Sequence, residues 1–112
     1  MELLEICDVI QSRRRFYLLD DRFSSVIAFL AGASLAAPDD PLKGFQEWVS
    51  EKTLQKNSPI QWAYIIAESR MPGLVEQKVG INQIPPEIQE LLVEDTVELV
   101  REFLTLKENK KE

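Results

Sequence analysis

The sequence contains no histidine and only one cysteine, Cys7, in 112 residues. Without histidine it lacks the usual general base at neutral pH and the commonest zinc ligand, and a serine or cysteine nucleophile has no imidazole partner. A single cysteine cannot form an intramolecular disulfide, so the fold does not depend on an oxidising compartment. These absences predict a protein with no catalytic residues and no bound metal or cofactor.

Glycine is also scarce: four are present and they are not clustered. No phosphate-binding loop, dinucleotide fingerprint or nucleophile elbow occurs. Catalysis by carboxylates alone remains an alternative, because Asp20-Asp21 and Asp39-Asp40 could hold a hard cation. Adjacent acids that precede apolar helices are more commonly helix caps, so we predict a binding protein and not an enzyme.

Long hydrophobic runs are missing as well. The longest weakly polar stretch, at 26–37, is about 12 residues long, whereas a membrane span needs about 20. The acidic start at 1–5 does not resemble a signal peptide, and we expect a cytoplasmic protein without membrane contact. The net charge of −6 argues against a nucleic-acid partner and is compatible with a basic protein partner.

Turn residues divide the chain into about five segments whose apolar spacing is helical. The segments are 2–14, about 20–37, 40–55, 58–70 and 85–107. We therefore predict an all-α fold, a single-domain bundle of about five helices at 1–108 with an irregular loop near 72–85 and a frayed tail at 109–112. Whether 74–84 forms a strand or a loop stays open, although a lone strand would have no partner.

Local signals refine the boundaries of these helices. The second segment is apolar nearly all round, which predicts the central, most buried helix, and 16–19 is predicted to be a buried, extended connector. Asp40-Pro41 is typical of a helix start, and 58–61 of a capping box. A second possible capping box at 95–98 leaves open a break in the last helix near Glu94.

A line of acids on the last helix is the main candidate for a binding site. Glu87, Glu90, Glu94 and Glu98 share one ridge at helical spacing, where like charges repel and cost a few tenths of a kcal/mol each. A sequence that tolerates this repulsion could use the ridge to meet a cationic partner, although such a line can also be an ordinary solvated face. Tyr64 lies off the apolar face of its helix and is the candidate aromatic anchor.

Several motifs resemble those of a family of small bacterial proteins, some of which are encoded beside polymorphic or contact-dependent toxins. The family has an Arg-Pro-x-Met-Tyr-Leu-Gly stretch, a helix similar to Ser-Leu-x-Ala-Leu-x-Ala-Phe-Leu-x-Gly, a Phe-x-x-Trp-Val motif, a tryptophan-containing helix and an amphipathic C-terminal helix. The matching parts of this chain are 14–18, 24–32, 45–49, Trp62 and 96–106. The proline after arginine is missing here, and Leu19 replaces the glycine. The resemblance implies an immunity-like role and carries over no catalytic residue.

Together these observations predict an immunity protein that neutralises a cognate bacterial toxin, a basic domain, by direct contact. One alternative is an acidic phage-type inhibitor of a nucleic-acid-binding effector. A less favoured alternative is a metal-dependent enzyme that uses carboxylates alone. The sequence predicts neither the identity of the partner nor the oligomeric state.

Overall fold

In a computed structural model, which describes residues 2–110, these residues form five α-helices and no strand. The helices are α1 (Leu3–Arg13), α2 (Phe23–Ala36), α3 (Phe45–Leu54), α4 (Trp62–Arg70) and α5 (Pro86–Lys110). Between α4 and α5 the chain forms turns and one 3-10 turn, so the prediction of an all-α bundle with an irregular loop is confirmed. The predicted tail at 109–112 overlaps the last residues of α5, and 111–112 lie outside the described residues.

The longest helix, α5, is the centre of the bundle and packs against each of the other four. Its inward side chains are buried at helical spacing, among them Leu92, Val97, Val100 and Phe103. The helix runs unbroken past Glu94, because the apolar residues on both sides of that position pack into the same core. The acidic ridge therefore lies on one continuous, well-packed helix.

Helix α2 is not the central helix that its composition predicts. Val26 and Leu30 are buried against the core, whereas Ala28 is exposed and Leu35 keeps 76% of its surface exposed. The helix has no charged residue. Because its outward face is uncharged like its buried face, composition alone does not show which face is buried. The prediction of its position was therefore wrong.

The connector at 16–19 is likewise not buried. Phe16 and Leu19 are 83% and 99% exposed, and Leu18 alone packs on the core. The carbonyl of Arg14 accepts the N–H groups of Tyr17 and Leu18, at 2.9 and 2.7 Å. These hydrogen bonds close a 3-10 turn in place of an extended segment, and Phe16 and Leu19 are left in solvent.

Helix α3 begins four residues later than Pro41, the predicted first helical residue. Gly44, with φ of +91°, precedes the first helical residue, Phe45. Asp40 does not cap a helix: its carboxylate accepts the Ser34 hydroxyl, whose oxygen accepts the N–H of Leu42. The acid thus holds the turn between α2 and α3.

Helix α4 also starts later than its predicted cap, Ser58. Gln61 is the actual cap, and its side-chain oxygen accepts the N–H of Ala63 at 2.8 Å. Ser58 accepts the N–H of Ile60 in the preceding turn. Serine and glutamine side chains can both accept a hydrogen bond from the first turn of a helix, so the sequence did not distinguish between them. The proline at 59 lies in the turn that precedes the helix.

Candidate protein-binding surface

The four predicted glutamates lie together on the outer face of α5. Glu87, Glu90, Glu94 and Glu98 are all exposed, and we call them the acidic ridge. At a rise of about 1.5 Å per residue, the ridge extends about 16 Å along the helix axis. The structure therefore brings together the four predicted carboxylates on one rigid element.

The ridge carboxylates take part in none of the ion pairs found in residues 2–110. Those pairs are Arg14–Asp21, Arg15–Asp21, Arg22–Asp20, Lys52–Glu102, Arg70–Asp95 and Arg101–Asp8. Arg70 and Arg101, the arginines paired across to or from α5, are thus engaged by acids outside the ridge. A basic partner would meet carboxylates that have no existing salt bridge to give up, so contact would cost them only their hydration.

Part of the ridge borders a shallow groove between α1 and α5. Glu90, Glu94 and Glu98 line it together with Arg14 and Arg101. The Arg101 guanidinium donates to residues of α1, namely Asp8 and Gln11, and that of Arg14 donates to Asp21 and the carbonyl of Ile10. The two guanidinium groups moderate the negative potential along this side without pairing with the ridge.

Glu87 and Glu94 differ from the other two ridge residues in their surroundings. Glu87 lies in the first turn of α5, where the helix dipole favours a negative charge. Glu94 lies near Arg70, whose pKa is raised first by the hydrogen bond and charge of Asp95 and to a smaller extent by Glu94. Glu87 therefore also favours the start of α5, Glu94 is only weakly attracted to Arg70, and Glu90 and Glu98 are the least engaged.

Tyr64 lies on a different helix from the acidic ridge. It is 38% exposed on α4, which packs beside α5. Arg70 lies on the side of α4 that faces α5, because its guanidinium donates two hydrogen bonds to Asp95 of α5 at 2.8 and 2.9 Å. At about 100° per residue Tyr64 lies about 120° around the helix from Arg70. The predicted aromatic anchor thus lies on a different side of α4 from the Arg70–Asp95 contact.

Three of the four aspartates considered as cation ligands have structural partners. Asp20 accepts the Ser25 hydroxyl and the N–H of Arg22, and these two hydrogen bonds lower its pKa. Asp21 pairs with two arginines, and Asp40 holds the turn after α2. In the part of the chain that the structure describes, no three acidic or cysteine side chains are placed to hold a metal ion.

The sequence analysis missed the exposed apolar side chains before and on α2. Phe16, Leu19 and Leu35 are more exposed than any other large hydrophobic residue in 2–110. A signal was present for the first two, because three arginines precede the apolar run and two aspartates follow it directly. Because charged residues flank the run of four apolar residues on both sides, the run is expected to lie near the surface.

Comparison with protein-family models, curated proteins and solved structures gave no match for this chain. The resemblance to toxin-neighbouring proteins therefore stays a prediction. Among residues 2–110, no helix combines the length and apolar character required to cross a membrane.

Proposed function

We propose that this chain is a non-enzymatic binding protein of the cytoplasm, an immunity protein that neutralises a cognate bacterial toxin by direct contact. The acidic ridge on α5 meets a basic surface of the toxin domain. The observation that supports this proposal is the row of four exposed carboxylates, none of them in an ion pair among the described residues, on one helix.

The position of the ridge on α5 favours binding over simple solvation. Because α5 packs against four helices, the carboxylates are held on a fixed backbone before a partner arrives. Complementary charge at the rim of an interface mainly accelerates association, by up to about a thousandfold at low ionic strength. The repulsion between neighbouring glutamates costs only about 0.2–0.5 kcal/mol per pair in stability. This loss is small compared with the possible gain in association rate.

The experiment first determines whether a gene beside that of this chain encodes a toxin domain, and then measures binding of that domain. Glu90→Lys with Glu94→Lys reverses the centre of the ridge, and Glu47→Lys with Glu51→Lys is the matched control. The control glutamates have the same spacing on α3, are exposed and are absent from the ion pairs. The ridge variant is expected to associate about tenfold more slowly at low salt, and the deficit shrinks as salt screens the charges.

Two results would contradict the proposal at different levels. Equal association rates for the ridge variant, the control and the original protein would remove the ridge from the interface. Failure of the chain to bind that toxin domain, and to protect cells that produce it, would reject the immunity function.

The same ridge also fits an acidic inhibitor of a nucleic-acid-binding effector, which is the second candidate. Such an inhibitor occupies a basic groove that otherwise holds phosphates, so it competes with DNA or RNA for its partner. An immunity protein protects against its own toxin whether or not the toxin surface it covers binds nucleic acid. Titration of an oligonucleotide into the purified complex separates the two candidates.

A further inference from the structure

Two apolar side chains project from the turn between α1 and α2. Phe16 is 83% exposed and Leu19 99% exposed, and we call this pair the apolar knob. Between them in sequence, Tyr17 packs edge-on against Phe29 of α2 with ring centroids 6.3 Å apart, which attaches the turn to that helix. An aromatic side chain buries on the order of 150 Å² or more when it is covered, so the knob offers substantial contact area.

An apolar groove lies at the other end of α2, and we call it the end groove. It is formed by the start of α1, the end of α2 and the end of α5, and its volume is about 420 Å³. Its apolar walls are Leu3, Leu4, Ile6, Ala33, Ala37 and Leu104. A space of this size is large enough to receive one or two hydrophobic side chains.

The turn that carries the knob and the end groove both adjoin one flank of α2. Phe29, which contacts Tyr17, and Ala33 and Ala37, which line the groove, follow each other at intervals of four residues. Phe29 and Ala33 therefore share one side of the helix, about 6 Å apart along its axis, and Ala37 follows directly after its last residue, Ala36. A second copy placed antiparallel on this flank brings its knob to the first copy's groove, and its groove to the first copy's knob.

The charges around the two features have opposite signs. Residues 13–22 around the knob contain four arginines and two aspartates, and Arg13, Arg15 and Arg22 are exposed. The rim of the end groove has the acids Glu2, Asp39 and Glu108 with one lysine, Lys107. The knob is thus surrounded by net positive charge and the groove by net negative charge, as an interface between identical copies requires.

We propose that this protein forms a two-fold symmetric dimer in which Phe16 and Leu19 of each copy enter the end groove of the other. A second copy is the occupant that the structure favours, because the same chain carries an exposed apolar pair surrounded by net positive charge and an apolar groove rimmed by net negative charge. The acidic ridge takes no part, so the dimer and the immunity function can fail independently.

Sedimentation equilibrium of the full chain from about 1 µM to about 1 mM measures the association directly. Leu19→Lys is expected to weaken dimerisation about tenfold or more, because it places a charge at the centre of the contact. Leu54→Lys is the control, since Leu54 is a partly exposed leucine at the end of α3, outside the knob and the groove. Circular dichroism checks that both variants remain helical.

A charge exchange tests the pairing of knob and groove. One variant carries Arg13→Glu and Arg15→Glu at the knob, and the other carries Asp39→Lys and Glu108→Lys at the groove. Each variant alone opposes like charges and is expected to dimerise several-fold more weakly. In a mixture, both contacts of the heterodimer regain opposite charges, so heterodimers exceed either homodimer.

A chain that stays monomeric over the whole concentration range overturns the proposal. So does a dimer that Leu19→Lys leaves intact, or a mixture with no preference for heterodimers. A monomer that sediments with anionic phospholipid vesicles through Leu19 overturns it as well, because the knob then serves a lipid surface.

Discussion

The side chain of Gln89 on α5 accepts the backbone N–H of Phe23, the first residue of α2, at 2.9 Å. Its amide nitrogen donates to the carbonyl of Ile84 at 2.7 Å. Gln89 is almost fully buried, and each of its two partners is a backbone group beside a buried side chain. One glutamine therefore fastens the start of α2 and the end of the 71–85 loop to the central helix.

Replacing this glutamine by leucine is expected to destabilise the protein strongly. Gln89→Leu has a similar size but leaves the Phe23 N–H and the Ile84 carbonyl without their partner. An unsatisfied buried polar group costs about 1–3 kcal/mol, so we expect a loss of about 2 kcal/mol or more in the free energy of unfolding. Urea denaturation followed by circular dichroism measures it.

The control for this substitution is Gln77→Leu, at an exposed position in the same loop. Its expected effect is within about 0.5 kcal/mol, as for most surface substitutions. Equal losses for the two variants would show that the buried hydrogen bonds of Gln89 do not hold the loop in place.

The existence of the helices could be predicted from sequence because periodic apolar residues and prolines are local signals. Pro38 follows the end of α2 closely and Pro86 is the first residue of α5. The starts of α3 and α4 were misplaced because more than one residue near each start can cap a helix or form a turn. Asp40 and Ser58 both accept hydrogen bonds, but in turns that precede the helices.

The exposure of side chains was harder to predict than the helices themselves. The spacing of the four glutamates placed them correctly on one outer face, since charged residues seldom occupy a core. An uncharged residue gives no such indication: Leu30 is buried and Leu35 is exposed on the same helix. Which face of α2 turns inward depends on α1 and α5, so a local pattern cannot decide it.

Thr96 has a buried hydroxyl in the middle of α5 that finds no hydrogen-bond partner within residues 2–110. Thr96→Val keeps the branched shape and removes the unsatisfied group, so we expect a gain of about 1 kcal/mol in the free energy of unfolding. Thr105→Val, at an exposed position of the same helix, controls for helix propensity and should change little. A loss of stability in Thr96→Val would mean that the hydroxyl donates to a carbonyl of the preceding turn.

Asp21 links stability to acid pH through Arg14 and Arg15, which donate to it at 3.1 and 2.6 Å. Partial burial raises the pKa of Asp21, but the hydrogen bonds and charges of the two arginines outweigh it and hold the pKa below its usual range.

A carboxyl whose pKa is lowered by folding stabilises the protein above its unfolded pKa, and this contribution is lost as pH falls through the folded pKa. Asp21→Asn should therefore lower the free energy of unfolding near neutral pH, by less than about 1 kcal/mol at so exposed a site, and the difference should vanish towards about pH 2. Urea denaturation at each pH measures the difference, and Glu76→Gln, exposed in the 71–85 loop and in none of the ion pairs given above, controls for the loss of one exposed negative charge. A difference that persists unchanged into acid would assign the effect of Asp21 to packing and not to its charge.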